Sequence, residues 1–395
     1  MREGWAKKKL GDIASVEYGF TAKSKPEGQY RYVRITDIDK NGNLIKESKM
    51  FIDSSGDAEQ FILNDNDLLM ARTGATFAKV LLYKDYEPSV FASYLIKIKF
   101  SEAIENKLYW YFSKSLDYWE QANELSSGAA QPHFNGKAVK QVTFSYPVSV
   151  NEQKKVVEVL DQAFAAIDQA KANIEKNLQN AKDLFQSKLN ETFTRKGEGW
   201  EDKTLGDTCI VERGSSPRPI KKYQTESADG VNWVKIGDTK GVEKHIYSTK
   251  EKITKEGALK SRFVDIGDFI LSNSMSFGRP YIMKTQGYIH DGWFVLRLPE
   301  GINTEFFWYL LASPYTKSQF ESLAAGAIVK NISGNLVKKA ILPIPPLVEQ
   351  EKIVDQMDLL SSTAKKIETK YLKELDSLAE LKKSILQKAF AGGLT

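Results

Sequence analysis

Cysteine and histidine are scarce in this sequence. Cys209 is the single cysteine among 395 residues, which excludes an internal disulfide framework and any metal site built on paired cysteines. The three histidines, His133, His245 and His290, have no second ligand at metal-binding spacing. We therefore predict no metal site.

Long apolar runs are absent as well. No stretch approaches the roughly 20 apolar residues that cross a bilayer, and the opening MREGWAKKKLGD is basic but lacks the apolar core of a signal peptide. Hydrophobic residues make up 42% and charged residues 27% of the chain, as in globular proteins. We expect a cytoplasmic protein of two or three domains with no membrane partner.

Neither sign of charge dominates, because 56 basic and 51 acidic residues leave a net charge of +5. DNA-binding chains often have a sharper basic bias. Composition therefore permits a nucleic-acid partner without indicating one.

What the sequence does contain is an internal repeat. The matching segments are WAKKKLGDIASVEYG from Trp5 with WEDKTLGDTCIVERG from Trp200, YVRITDI at 32–38 with WVKIGDT at 233–239, and LFQSKLNETF at 184–193 with LKKSILQKAF at 381–390. A unit of roughly 197 residues is too long for a solenoid and indicates a duplicated domain. The aligned segments are aromatic, aliphatic and turn residues, whereas the loops between them differ.

The first part of each copy reads as mixed α/β. The β-rich runs RYVRI, SYLIKIKF and GWFVLRL are interrupted by turn residues. One aromatic helix is predicted at 107–119, with its counterpart at 304–315. We interpret its aromatic side chains as core, with exposed platforms for stacking bases as the alternative.

A proline-marked junction follows in both copies, FSYPVSVNEQKKVV at 144–157 and LPIPPLVEQEKIV at 342–354. Proline fixes its own φ and biases the preceding residue toward extended backbone. A helix is thus expected only after Pro147 and after Pro346. Asn151 is the predicted N-cap of the first helix.

Each junction leads into a long helix with one apolar stripe. The first stripe contains Leu160, Phe164, Ile167, Ile174, Leu178, Ala181 and Phe185; the second contains Ile353, Met357, Leu360, Ala364, Ile367 and Tyr371, and later Leu375, Leu378 and Ile385. Alternating steps of four and three predict a coiled-coil seam. Glycines at 196–199 and 391–394 are expected to end the helices. Related by a dyad, the two helices would lie antiparallel and act as a spacer.

This organisation resembles the specificity subunit of type I restriction-modification systems over essentially the whole chain. The Pro-Pro-Leu-x-Glu-Gln junction is repeated at a period near 200, and the shorter cues LGD, DLL and SILQKAF agree. The first junction departs from the pattern, because Tyr146-Pro147-Val148-Ser149 replaces the proline-rich run.

The expected fold is therefore two α/β (α+β) globular target recognition domains in tandem, separated by a long antiparallel two-helix coiled coil, with an internal pseudo-two-fold. The predicted segments are recognition domain 1 over 1–150, the first spacer helix over 151–196, recognition domain 2 over 197–348 and the second spacer helix over 349–395.

The resemblance also implies function and partners. Each recognition domain would read one half of a bipartite, asymmetric site in double-stranded DNA, and the helices would set the gap and dock two modification subunits that methylate adenine. Restriction/translocase subunits would complete the nuclease. The chain itself would be non-catalytic and bind no cofactor, with S-adenosylmethionine, Mg²⁺ and ATP on the partner subunits.

Candidate DNA contacts are polar and basic residues on the divergent loops, because such side chains reach phosphates and base edges. Solvated basic loops and ordinary turns are the alternative readings. In the first copy the candidates are Thr21, Lys23, Ser24 and Lys25; Arg72, Thr73, Thr76 and Lys79; and Gln131, His133 and Asn135. In the second copy they are Arg213, Ser215, Ser216, Arg218, Lys221 and Lys222; Asn273, Ser274, Ser276 and Arg279; and Lys330 and Asn331.

Other function classes fit less well. A methyltransferase-like protein that modifies adenine would need an Asn/Asp-Pro-Pro-aromatic loop, yet no Asn-Pro or Asp-Pro pair occurs. A nuclease would need clustered carboxylates around Mg²⁺, and none stands out. A coiled-coil scaffold would not need two large domains whose loops diverge on one frame.

Overall fold

The computed structural model describes residues 3–47, 49–53, 56–85, 87–126, 133–273, 278–324 and 333–394. The chain forms two compact units: unit 1 combines Met1–Glu175 with Leu372–Thr395, and unit 2 is Lys176–Tyr371. No helix in these ranges is both long and apolar enough to cross a bilayer. The predicted segments follow the order of the chain, whereas each compact unit takes in part of both long helices.

Unit 1 is built from short strands and helices. The strands are β1 (Trp5–Lys9), β2 (Ala14–Tyr18), β3 (Tyr30–Val33), β4 (Phe51–Ile52), β5 (Leu68–Ala71), β6 (Val80–Leu82), β7 (Ser89–Phe91), β8 (Leu95–Phe100) and β9 (Thr143–Pro147), and the helices are α1 (Leu10–Ile13), α2 (Asn106–Phe112), α3 (Leu116–Leu125) and α4 (Gly136–Gln141). One sheet has the antiparallel order β2-β8-β5-β6. A second has the order β4-β3-β7, in which β3 and β7 are parallel, and β1 pairs with β9.

The long helix α5 (Val150–Thr194) leaves unit 1. It begins one residue before Asn151, so Asn151 lies in the first turn and the predicted N-cap is wrong. The reason is that the backbone N–H of Gln153 already donates to the Ser149 carbonyl, 3.0 Å away. The prediction that the helix starts only after Pro147 is confirmed.

Unit 2 repeats the topology of unit 1. Its strands are β10 (Glu201–Thr204), β11 (Ile210–Arg213), β12 (Gln224–Thr225), β13 (Val231–Val234), β14 (His245–Ile246), β15 (Glu251–Ile253), β16 (Arg262–Val264), β17 (Phe269–Ser272), β18 (Pro280–Met283), β19 (Gly287–Ile289), β20 (Trp293–Arg297) and β21 (Ile341–Ile344), and its helices are α6 (Leu205–Thr208), α7 (Lys255–Ala258), α8 (Thr304–Ala312), α9 (Pro314–Ala324) and α10 (Gly334–Val337).

Each strand pairing of unit 1 recurs in unit 2, which adds β12, β14 and β16 at the edges of its sheets. The order β11-β20-β17-β18 repeats β2-β8-β5-β6, with β14 added at the edge. The order β15-β13-β19 repeats β4-β3-β7, including the parallel pair, and β10 pairs with β21 as β1 does with β9. The duplication predicted from the sequence is therefore confirmed as a duplication of the fold.

The aromatic segment of each unit consists of two helices, where one was predicted. In unit 1 the break follows Phe112, because the Ser115 hydroxyl caps α3 by accepting the Tyr118 N–H. In unit 2, α9 begins at Pro314, which lacks the N–H that a continuous helix would need. Tyr109 and Phe112 are fully buried, so the prediction that these aromatics form core is confirmed.

The second long helix, α11 (Leu347–Phe390), lies antiparallel to α5 in each unit. In unit 1 the first half of α5 meets the second half of α11, where Lys382 Nζ lies 3.1 Å from Asp168 Oδ1. In unit 2 the second half of α5 meets the first half of α11, where Lys182 Nζ lies 3.3 Å from Glu368 Oε1. The predicted helix pairing is confirmed.

The predicted seam positions are buried or half-buried with one exception. Leu160 and Met357 are fully buried, and the other predicted α5 positions are buried or half-buried. Ile367 is 37% exposed, and its neighbour Glu368 reaches α5 instead, so the prediction is wrong at Ile367. At this turn Glu368 is half-buried, and its carboxylate lies 3.3 Å from Lys182 Nζ of α5.

A buried glutamine fixes the start of α5 against unit 1. The Gln153 side chain is fully buried, and its amide donates to the carbonyls of Ala103 (3.1 Å) and Pro147 (2.9 Å). Its Oε1 accepts the backbone N–H of Glu105 at 2.7 Å. Three hydrogen bonds thus join the first turn of the helix to two separate backbone segments.

The same arrangement recurs at the start of α11. The Gln350 amide donates to the carbonyls of Gly301 (3.4 Å) and Pro345 (2.9 Å), and its Oε1 accepts the N–H of Asn303 at 2.8 Å. The repeated Glu-Gln pair of the two junctions therefore has a structural reason. Its glutamine satisfies buried backbone groups that would otherwise lack partners and ties the start of each helix to the neighbouring backbone.

Candidate nucleic-acid interface

Three segments of unit 1 meet where β2 and β5 end and β8 begins. The N–H of Gly19 donates to the Leu95 carbonyl (3.2 Å), and the N–H of Arg72 donates to the Tyr94 carbonyl (3.1 Å). A Cβ at position 19 would lie 2.4 Å from the carbonyl oxygen of Ala92. Only glycine allows this close approach, which brings the loop after β2 against the loop before β8.

Unit 2 has the same meeting point. The N–H of Gly214 donates to the Trp293 carbonyl (2.8 Å), and the N–H of Asn273 donates to the Gly292 carbonyl (3.0 Å). A Cβ at position 214 would lie 2.0 Å from the carbonyl oxygen of His290. The backbone frame is therefore shared, and the two sites differ in their side chains.

In unit 1 the side chains form the Arg72 cluster, defined by Tyr18, Arg72 and Tyr94. The Arg72 guanidinium carbon lies 5.2 Å from the centre of the Tyr18 ring and 5.7 Å from that of Tyr94, within the range of cation–π attraction. The two rings are 42% and 56% exposed. The Tyr18 hydroxyl accepts the Gly136 N–H at 2.8 Å, which fixes its ring.

The loop containing His133 closes this site from one side. Thr73 forms a β-bridge with His133, and the Phe134 N–H donates to the Arg72 carbonyl at 2.8 Å. His133 is exposed, whereas Thr73 is buried. The Asn135 side chain caps α4 by accepting two backbone N–H groups.

The other candidates of unit 1 spread outward from the cluster. Thr21 and Lys23 are exposed on the loop that runs from β2 toward β4, Ser24 is half-buried there, and Lys25 pairs with Asp53. Thr76 and Lys79 lie half-buried in the turn after β5, where the Lys79 N–H donates to the Thr76 carbonyl at 3.1 Å. DNA contact by each stays a prediction.

In unit 2 the side chains form the Asp291 cluster, defined by Arg213, Ser216, Arg218, Asn273 and Asp291. The Asp291 carboxylate accepts the Ser216 hydroxyl at 2.6 Å and faces the Arg218 guanidinium at 3.3 Å. Its backbone carbonyl accepts the Asn273 amide (2.8 Å) and Arg213 Nε (3.3 Å). Arg218 is 81% exposed, so this ion pair orients the arginine and contributes little stability.

Electrostatics favour an ionised Asp291. The hydrogen bond from Ser216 lowers the pKa of the Asp291 carboxyl, and partial burial acts in the opposite direction. The remaining candidates lie around the cluster: Ser215 donates to the Lys260 carbonyl (3.1 Å), and Lys221 and Lys222 are exposed on a short helical turn. Arg279 makes its contact outside the Asp291 cluster: its guanidinium donates to the Val242 carbonyl at 3.1 Å.

Five candidates lie outside the described residues, namely Gln131, Ser274, Ser276, Lys330 and Asn331. Among the residues that are described, no group of three or more His, Cys, Asp or Glu side chains is arranged to hold a metal ion. The described candidates supply hydrogen-bond donors and acceptors together with positive charge. That set suits recognition of base edges and phosphates.

Comparison with known proteins adds a family to this geometry. A model described as the type I restriction modification DNA specificity domain matches residues 2–180 and again residues 197–377. The chain belongs to the type I restriction-modification DNA specificity family. It carries two specificity domains in tandem, so the resemblance seen in the junction motifs is confirmed.

Relatives in this family match along the whole chain. The EcoBI specificity subunit of Escherichia coli is 23% identical over 100% of this chain and 87% of its own length, and the StySPI specificity subunit of Salmonella potsdam is 24% identical over 100% and 90%. Two solved structures share the fold at 18% identity. One comes from work on assembly and conformational transition of the type I R-M system (TM-score 0.79, 100% and 99% covered); the other is the HsdS subunit from Thermoanaerobacter tengcongensis (TM-score 0.63, 100% and 98%).

Sequence reasoning missed three residues of the two clusters in this specificity chain. Tyr18 aligns with Arg213 in the repeat (VEYG against VERG), so the alignment offered a signal for it. Tyr94 and Asp291 gave no such signal, because each lies just before a strand and outside the basic loops. The close approaches at Gly19 and Gly214 bring Tyr94 and Asp291 to the clusters.

His290 makes the stability of unit 2 depend on pH. Burial lowers the pKa of His290 below its usual 6.5, and its Nδ1 accepts the Gly292 N–H at 2.8 Å. A lowered folded-state pKa means that the unfolded chain takes up the proton first as pH falls. The stabilising contribution is therefore complete above about pH 6.5 and is lost below it.

We expect unit 2 to lose stability between pH 7 and pH 5, and His290→Gln to reduce that loss. Hydrogen exchange of β19 and β20 at the two pH values, corrected for the intrinsic exchange rate, measures the effect. An unchanged pH response in the variant would contradict this assignment.

Proposed function

We propose that this chain is the DNA-recognition subunit of a type I restriction-modification complex, in which each unit reads one half of a bipartite, asymmetric site. One observation carries the proposal. Every strand pairing of unit 1 recurs in unit 2, yet the matched positions hold Tyr18, Arg72 and Tyr94 in one unit and Arg213, Asn273 and Gly292 in the other. A shared frame with different side chains suits two unlike half-sites.

The paired helices would set the gap between the half-sites. Each helix is fixed at its start by a buried glutamine, and the ion pairs Lys382–Asp168 and Lys182–Glu368 join α5 to α11. Such a pairing would let the protein, and not the DNA, set the distance between the two reading sites.

The chain would supply recognition and leave the chemistry to other subunits. Two modification subunits would dock on the helices and methylate adenine with S-adenosylmethionine, and restriction/translocase subunits would use ATP and Mg²⁺. The chain itself would bind no cofactor and act in the cytoplasm. Its described candidate residues are hydrogen-bonding and cationic groups, which recognise DNA without reacting with it.

A footprint of the chain with its modification subunits tests the proposal. We expect protection of two short patches separated by an unread gap. Methylation or cleavage of DNA by the purified chain alone would contradict a non-catalytic role, and one continuous protected patch would contradict two reading units.

Arg218→Ala is expected to weaken discrimination in one half-site only, by about 1–3 kcal/mol per base pair contacted. Arg195→Ala is the matched control, because Arg195 is also 81% exposed and pairs with an acid, Glu191, but lies beyond the end of α5. Binding to DNA panels with single base-pair changes measures both. Equal loss in the two halves would contradict independent reading.

A further inference from the structure

The Arg72 side chain lies against two aromatic rings, and no described residue uses its hydrogen-bonding capacity. Its backbone is fixed on both sides, by donation to the Tyr94 carbonyl (3.1 Å) and acceptance from the Phe134 N–H (2.8 Å). Its guanidinium lies over the rings of Tyr18 and Tyr94. Among the ion pairs and hydrogen bonds of the described residues, none uses the five N–H donors of the Arg72 guanidinium.

In unit 2 the residue that matches Arg72 is Asn273, and its side chain already has a hydrogen-bond partner. Asn273 is 2% exposed, and its amide donates to the Asp291 carbonyl at 2.8 Å. Arg213, which replaces Tyr18, donates to the same carbonyl. At this point of the frame, the donors of unit 2 are engaged, whereas those of unit 1 have no partner among the described residues.

Resting on the proposed function, we propose that Arg72 reads a guanine in the major groove of the half-site bound by unit 1. A guanidinium offers two parallel donors, and guanine is the base that presents two adjacent acceptors, N7 and O6, on its major-groove edge. Adenine presents one acceptor and one donor there. A phosphate can also accept a bidentate guanidinium, so the experiment must separate a base contact from a phosphate contact.

The decisive experiment replaces each guanine of the target, one at a time, with 7-deazaguanine, which lacks the N7 acceptor. Binding of the complex of this chain with its modification subunits is then measured. We expect one guanine in one half-site at which the replacement weakens binding by about 5- to 150-fold. In Arg72→Met that penalty falls below about twofold, because the donor pair is gone.

Two further variants separate base reading from other effects. Lys99→Met removes an exposed charge at the far end of β8 and is expected to keep the full 7-deazaguanine penalty. Arg72→Lys keeps the charge on a shorter, non-planar head, and is expected to lose most of the penalty while the complex still binds DNA.

The outcomes distinguish this inference from the proposed function. A complex that discriminates a bipartite site but has no sensitive guanine, or whose penalty survives in Arg72→Met, overturns the Arg72 assignment alone. Uniform weakening of all DNA by Arg72→Met, with the salt slope reduced by about one, means a phosphate contact and also overturns it. A wild-type complex that discriminates no bipartite site overturns the proposed function itself.

Discussion

Gln350→Met is expected to lower the local stability of unit 2 by about 3 kcal/mol. Methionine keeps the length of the side chain but removes its amide. The N–H of Asn303 and the carbonyls of Gly301 and Pro345 then lose their partner in a place where the side chain is 1% exposed. An unsatisfied buried polar group costs about 1–3 kcal/mol. Native-state hydrogen exchange of β10 and β21 measures the change.

Gln356→Met is the matched control, because Gln356 lies exposed on the same helix, and its replacement should change stability by less than about 0.5 kcal/mol. A second readout concerns function. A loosened junction should let the complex bind sites whose gap is one base pair longer or shorter. Equal effects of the two substitutions would mean that Gln350 does not anchor the helix.

Leu386→Ala is expected to destabilise unit 1 by about 3 kcal/mol, although the residue lies near the C-terminus. Leu386 is 4% exposed and belongs to the same hydrophobic core as Phe112 and Phe164. Phe390, one turn further on, contacts Phe112 with ring centres 5.4 Å apart. The end of the second repeat thus completes the core of the first unit, and removing the Leu386 side chain leaves a cavity there.

The measurement is hydrogen exchange in α2 and α8. Leu386→Ala should speed exchange in α2 of unit 1 and leave α8 of unit 2 unchanged. Leu381→Ala, at a 46% exposed position of the same helix, should alter neither. Faster exchange in α8 alone would contradict the assignment of this helical segment to unit 1.

The fold was predictable where a residue's role depends on its near neighbours in the chain. The apolar steps from Leu160 to Phe185 follow from helical geometry, and the prolines before Pro346 restrict the backbone directly. Errors arose where a side-chain contact decided the outcome. The Ser115 hydroxyl caps α3 and breaks the aromatic helix of unit 1, and Glu368 rather than Ile367 faces Lys182 of α5.

The candidate site was predictable to a smaller extent. Arg72 and Arg218 stood out by charge and by their place in divergent loops. Tyr94 and Asp291 did not, since a residue that orients an arginine carries no sign of that role in its own segment. Gln153 and Gln350 were visible only as a repeated pair, because their hydrogen-bond partners lie about 50 residues earlier in the chain.

Sequencing of adenine methylation in the host genome, with and without this gene, tests the central claim most directly. If each unit reads one half-site, methylation that depends on this gene falls in a single asymmetric DNA motif. That motif consists of two short specified sequences separated by a gap of constant length. Methylation at a continuous motif, at blocks with variable gaps, or at the same positions without the gene would contradict the account.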